Sequence, residues 1–301
     1  NDDAPARVIL NKVVTKNNGG TADINDFGLT VGGVSTDSGV TVFVDSNTPI
    51  ALNEAGLAGY AFVSMTGEGC PVQLGGTVTL NEGETIECTI TNDDIEPHLK
   101  LQKEVVGGPL SANQWNLKAT GPTTIAGNGG VDSDNAVVNF SAGEYTLTET
   151  SANPGSIHYS SDGVWSCIGE GNVITLNLGD EVECEITNTF VPPGTIIIEK
   201  QTLPDGSDVS FEFDPSWSEN NFNLVDGGQN NSSQLVPGIY SVSENTPTEW
   251  DLASAICSDG SPVDAISLQS GETVTCVFTN DLKQGTITVT KNLITDNGGT
   301  L

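Results

Sequence analysis

Positive charge is what this chain has least of. Nine Lys and Arg stand against forty Asp and Glu in 301 residues, a net charge of −31, and the pI is near 4.1. A partner with a phosphate backbone needs Lys and Arg to displace its counterions, so nucleic acid is excluded. Anionic membrane surfaces are excluded on the same ground. No run approaches the roughly 18–20 apolar residues needed to span a bilayer. There is one Met, aromatics reach only 6%, and no apolar period of 3.6 residues persists for three turns. Long helices and a single large core are therefore not expected. Histidine is nearly absent: His98 and His158 are the whole supply, and neither stands at a metal-ligand spacing.

What is abundant is turn chemistry and repetition. Thirty-five Gly and fourteen Pro punctuate short alternating runs such as Tyr145-Thr146-Leu147-Thr148-Glu149, the period-2 pattern of half-buried strands. Three segments close alike, on Cys88-Thr89-Ile90-Thr91-Asn92, Cys184-Glu185-Ile186-Thr187-Asn188 and Cys276-Val277-Phe278-Thr279-Asn280. Four opening runs end on Lys12, Lys103, Lys200 and Lys291, which stand 91, 97 and 91 residues apart. Self-similarity at a fixed period marks a repeat architecture. The reading is all-β: tandem immunoglobulin-like β-sandwich domains over 7–95, 96–192 and 193–282, joined by short linkers, two of which carry Pro. Residues 1–6 read as the end of a preceding repeat. Residues 283–301 read as the first strand of a following repeat, or as a strand donated to a neighbouring subunit.

Six cysteines fall two per repeat, at separations of 18, 17 and 19. An even count matched to the repeat predicts the disulfides Cys70–Cys88, Cys167–Cys184 and Cys257–Cys276, and an oxidising compartment. No Cys-x-x-Cys supports a metal reading, and a nucleophilic thiol in each repeat lacks a His partner.

The lysine that ends the first strand, the later Tyr-x-Leu-x-Glu-Thr and the closing Ile-Thr-Asn together resemble the prealbumin-like, collagen-adhesin B-type domains of microbial surface proteins and pilins. The second repeat carries the pattern as Lys103, Tyr145 to Thr150 and Asn188; the third as Lys200, Tyr240-x-Val242-x-Glu244 and Asn280. The first departs, because Ile50-x-Leu52-x-Glu54 lacks the Tyr. In such relatives the Lys amine attacks the Asn side-chain carbonyl and forms an intramolecular isopeptide bond, with the Glu assisting. The resemblance thus implies the sets Lys12–Glu54–Asn92, Lys103–Glu149–Asn188 and Lys200–Glu244–Asn280. The residue types suit that chemistry: desolvation frees the amine of its proton, and a buried Glu can relay it. The alternative is a Lys–Glu ion pair at a sheet edge, with the Asn serving the following turn.

Other features are less specific. Asp and Asn clusters at Asp23 to Asp26, Asp132 to Asn135 and Asp296-Asn297 are ordinary turn chemistry. At the junction, Asp93, Asp94 and Glu96 supply the hard oxygens that Ca²⁺ takes, the one cofactor considered. N-glycosylation sequons stand at Asn139, Asn230 and Asn231. Trp115, Trp165, Trp217 and Trp250 read as core residues rather than a sugar-binding row, because they do not recur at equivalent positions. No hydrolase elbow, phosphate loop or zinc motif occurs, so the chain is read as structural rather than enzymatic. The functional expectation is an extracellular repeat protein at a microbial cell surface: a stalk, adhesin shaft or filament. Its partners are then copies of itself or further repeats of the same chain. The alternatives are a ligand-binding adhesin module, or a fibre subunit assembling by strand donation through residues 285–301.

Overall fold

The computed structural model describes residues 4–167 and 171–292. Strands follow one another with short turns, and among the described residues the helical content is three 3-10 turns and a four-residue α-turn at Ser133–Ala136. Among the described residues no helix is long and apolar enough to cross a membrane. Three separate hydrophobic cores form, one for each repeat.

The first two repeats have two four-stranded sheets each, the third a four-, a three- and a two-stranded sheet, and one four-stranded sheet in each repeat is built alike. Its central strands are the first and last of the repeat, hydrogen-bonded in parallel: Ala6–Thr15 with Thr85–Asp94, His98–Val106 with Glu181–Phe190, and Thr195–Leu203 with Thr273–Leu282. Strands 41–44 and 60–66 flank this pair in the first repeat, 130–132 and 159–160 in the second, 229–231 and 250–257 in the third. Period-2 alternation decides which side chains face inward. On the opening strands these are Ala6, Val8, Leu10 and Lys12, then Leu99, Leu101 and Lys103, then Ile196, Ile198 and Lys200. On the closing strands they are Cys88, Ile90 and Asn92, with equivalents Cys184 to Asn188 and Cys276 to Asn280. Each lysine therefore ends the apolar run of its inward face; only in the third repeat does a further buried inward residue, Thr202, follow it. The tryptophans belong to the cores as expected: Trp115, Trp165 and Trp250 are buried and Trp217 packs against the third core.

All three disulfides pair as the spacing predicts. Cys257 and Cys276 stand directly across from one another on antiparallel strands.

The described chain divides into two compact units, 1–190 and 191–301. The first holds two sandwiches, and a turn at Asn17 to Gly20 ties them together. Asp94, the last inward residue of its closing strand, takes the backbone N–H groups of Asn17, Asn18 and Gly20 on its carboxylate at 2.7–3.1 Å. The turn in turn reaches the second sandwich: Ala142 N–H donates to Asn18 O at 2.8 Å, and Asn17 Nδ2 donates to Asn139 Oδ1 at 3.0 Å. Gly19 has φ +90°, and a Cβ there would come within 2.9 Å of Ala142 O. The close approach requires glycine.

The fourth opening run forms no strand within the described residues. Ile287 and Val289 are 89% and 87% exposed. Residues 293–301, with Asp296 and Asn297, lie outside the described residues, as do residues 1–3.

Two outcomes follow. Replacing Cys257 and Cys276 together by Ser should lower the stability of the third sandwich by about 3 kcal/mol, the entropy of its closed loop, measured by urea denaturation. Asp94→Ala strands three backbone donors that now meet a charged acceptor. It should destabilise the first unit by at least about 3 kcal/mol and speed hydrogen exchange at Asn17, Asn18 and Gly20.

Candidate functional site

The inward alternation brings a cation, an anion and an amide together at the end of each core. In the first sandwich Lys12 Nζ lies 2.7 Å from Asn92 Oδ1 and 2.8 Å from Glu54 Oε2. Asn92 Nδ2 donates to the other oxygen, Glu54 Oε1, at 2.7 Å. The Lys and Glu side chains have no solvent exposure. Glu54 thus occupies the position expected of it although the Tyr of the motif is missing. In the third sandwich Lys200 Nζ lies 2.8 Å from Asn280 Oδ1 and 3.7 Å from Glu244 Oε1, while Asn280 Nδ2 donates to Glu244 Oε2 at 2.8 Å.

The second sandwich has the same members in a different arrangement. Lys103 Nζ stands 3.0 Å from Glu149 Oε2, and Asn188 Nδ2 donates to Glu149 Oε1 at 2.7 Å. The amine, however, donates to the Ile186 carbonyl at 3.0 Å, and Asn188 Oδ1 is buried without a partner. In every repeat one carboxyl group spans the amine and the amide nitrogen.

A fourth member of each set was not visible in the motif. An aromatic ring lies under each amine: Phe27 at 4.2 Å, Trp115 at 5.4 Å and Phe211 at 4.0 Å. The ring supplies a cation–π contact and keeps water out. Its offset from the lysine differs in each repeat, so spacing alone hides it. The structural signal is constant: each ring stands two residues before the residue paired with the Glu, at Leu29, Leu117 and Phe213. Burial pushes the amines of Lys12, Lys103 and Lys200 below the usual lysine range, against the pull of their glutamates. An amine so placed gives up its proton more readily.

The family model described as "Prealbumin-like fold domain" matches residues 3–90, 94–186 and 215–278. The chain belongs to that family. Several solved structures are similar to the chain. The Bacillus anthracis TIE protein is 14% identical over 92% of this chain and 51% of its own, with a TM-score of 0.40; this chain spans about half of its length. The major pilin T-13 of Streptococcus pyogenes is 15% identical over 63% of this chain and 98% of its own, with a TM-score of 0.31. A streptococcal ancillary pilin is 14% identical over 82% of each chain, with a TM-score of 0.35. No curated protein matches the chain.

The remaining sequence candidates fall elsewhere in this prealbumin-like frame. Asp93, Asp94 and Glu96 do not converge as a calcium set. Asp93 and Asp94 alternate across one strand, so their carboxylates face opposite ways, Asp94 holds the Asn17 to Gly20 turn, and Glu96 accepts the Phe140 N–H. Asp26 closes a 3-10 turn by accepting the Asp23 N–H at 2.7 Å. Of the sequons, Asn139 is exposed in a turn at φ +59°. Asn230 and Asn231 lie on an edge strand paired to the third opening strand. His98, set aside at the sequence level for want of a ligand spacing, gathers with Asp132 and Asp134, their donor atoms all within 4.8 Å.

Lys12→Met leaves Glu54 buried without its cation and should cost the first sandwich about 3–5 kcal/mol. Adding Glu54→Gln should recover part of that loss. Urea titration of the two variants checks both.

Proposed function

We propose that this prealbumin-like chain is a load-bearing segment of an extracellular stalk, adhesin shaft or filament at a microbial surface, with each sandwich locked by a Lys–Asn isopeptide bond. The observation that carries the reading is the carboxyl group placed between the two nitrogens that exchange. In the reaction the neutral Lys amine attacks Asn Cγ, the Nζ–Cγ bond forms and the Cγ–Nδ2 bond breaks. One proton of the amine passes to the departing nitrogen, which leaves as ammonia. Glu54, Glu149 and Glu244 each face the amine with one oxygen and the amide nitrogen with the other. Each can therefore take the proton on one side and return it on the other.

The location of the bond supports the mechanical role. The chain enters a sandwich at the start of its opening strand and leaves at the end of its closing strand. Because these strands are parallel neighbours, tension along the chain loads them in shear. Nine registered residue pairs resist together in each repeat. A Lys–Asn bond joins the same two strands near the end of that register, so it would carry the load covalently. The disulfides tie each closing strand to the segment before it, consistent with an oxidising extracellular setting. Partners of such a shaft are further repeats of the same kind. Large exposed aromatics do not gather into a patch among the described residues, where Phe43 stands alone; the binding-module alternative therefore has no feature of its own to rest on.

Intact mass under reducing conditions decides the covalent part. The expected mass is that of the sequence less one ammonia for each bonded sandwich. Glu149→Ala should restore one ammonia and leave the other two sites unchanged. A mass equal to the unmodified sequence overturns the isopeptide reading.

A further inference from the structure

The second sandwich carries a cluster that the Lys–Glu–Asn sets do not use. His98 begins the opening strand of that sandwich, and its ring stands between the two neighbouring strands. On one side Nε2 lies 3.0 Å from Asp132 Oδ1 and 3.9 Å from Asp134 Oδ1. On the other, Nδ1 lies 3.2 Å from Glu181 Oε2, whose residue is directly across from His98 in the parallel register. The histidine side chain is 23% exposed.

We infer that His98 Nε2, Asp132 and Asp134 form a binding site for a divalent transition-metal ion of the zinc class. The donor set favours this class. Calcium and magnesium take oxygen ligands alone, whereas an imidazole nitrogen with carboxylates suits zinc and its neighbours. The spacing also fits. Zinc bonds to His nitrogen and carboxylate oxygen at about 2.0–2.2 Å, so two such ligands at a tetrahedral angle stand about 3.3 Å apart. The observed separations of 3.0 and 3.9 Å bracket that value.

The orientation of the ring is the independent part of the argument. Nε2 faces the Asp132 and Asp134 carboxylates and Nδ1 faces Glu181 Oε2 at 3.2 Å, so when a metal takes the Nε2 lone pair the ring proton stands on Nδ1 beside that carboxylate. A carboxylate behind a metal-binding histidine is the usual supporting arrangement. The aspartates are held as well. Asp132 Oδ1 accepts the Asp134 N–H at 3.0 Å, which sets both carboxylates on one turn. Buried Ser133 between them accepts the Leu99 N–H on its Oγ at 3.1 Å, which fastens that turn to the strand bearing His98. Three protein ligands leave a coordination position for water or for a donor from another molecule.

The competing account is a plain ion pair, with a protonated imidazole between carboxylates. The two accounts differ in what zinc does. Burial pulls the imidazole pKa down, but the Asp132 hydrogen bond and the charges of Asp134, Asp132 and Glu181 outweigh it and hold it above the usual histidine range. The titration is therefore run at about pH 8, where the proton competes little. Metal-stripped full chain is titrated with zinc chloride in excess calcium chloride, which occupies oxygen sites on the acidic surface.

The expected result is one zinc per chain, with a dissociation constant on the order of micromolar or tighter. His98→Gln should weaken binding by at least about tenfold, and Glu181→Gln, which keeps every ligand, by about ten- to hundredfold. Circular dichroism checks that both variants fold. Saturable zinc binding that His98→Gln leaves unchanged overturns the proposal, as does the absence of saturable binding in the parent chain. Unchanged binding in Glu181→Gln removes the orienting role assigned to that residue.

Discussion

Everything distinctive in this chain depends on one pairing, the parallel contact between the first and last strand of each sandwich. Parallel neighbours in a sheet must be joined by a long connection, and here that connection is the remainder of the domain. The sequence-distant ends of a repeat are thereby locked side by side over nine residues. In each repeat the lysine pairs with the residue two before the asparagine: Lys12 with Ile90, Lys103 with Ile186, Lys200 with Phe278. The amine and the amide therefore share one face. A slip of one residue would turn outward either the lysine of the opening strand or the cysteine and asparagine of the closing strand. The cystine, the core and the Lys–Glu–Asn set thus depend on a single register, and each helps to hold it.

A lysine at the end of a dry face is costly unless it is paired. The three sets meet that cost in the same way, with a carboxylate, an amide and an aromatic face around each amine. An ion pair in such a place adds little net stability compared with apolar residues of the same size. Stability alone does not account for retaining it three times. The proposed crosslink would account for it, because a dehydrated amine is a nucleophile and the neighbouring carboxyl can relay its proton. Amide formation would then replace the buried charge with a neutral bond.

Much of this was legible in the order of residues. Alternation alone put Lys12 on the face of Val8 and Leu10, and Asn92 on that of Cys88 and Ile90. The cysteine pairs followed from their even distribution. Three things were hidden, each for a physical reason. The aromatic rings lie at a variable distance from the lysines because the loops before them differ in length. Asp94 looked like a metal ligand because composition cannot tell an oxygen free to bind calcium from one already taken by three backbone amides. His98 looked isolated because its partners, Asp132 and Glu181, come from two strands that meet only after the sheet has formed. A tertiary contact between residues more than thirty positions apart has no local signature.

The charge of the chain takes its meaning from the same arrangement. Each buried lysine is matched by its own glutamate, so the sets contribute no net charge. Outside them, six basic residues face thirty-seven acidic ones, and the whole of the −31 lies there. Such a surface repels copies of itself, and salt shortens the reach of that repulsion to about 10 Å at 0.1 M. Between neighbouring sandwiches of one chain the repulsion has to be overcome locally. At the first junction it is: the Asp94 carboxylate is turned inward onto backbone donors, and the turn it holds hydrogen-bonds to Ala142 and Asn139 of the next sandwich. An acidic residue that would push the two sandwiches apart if it faced solvent at the seam is instead the group that joins them.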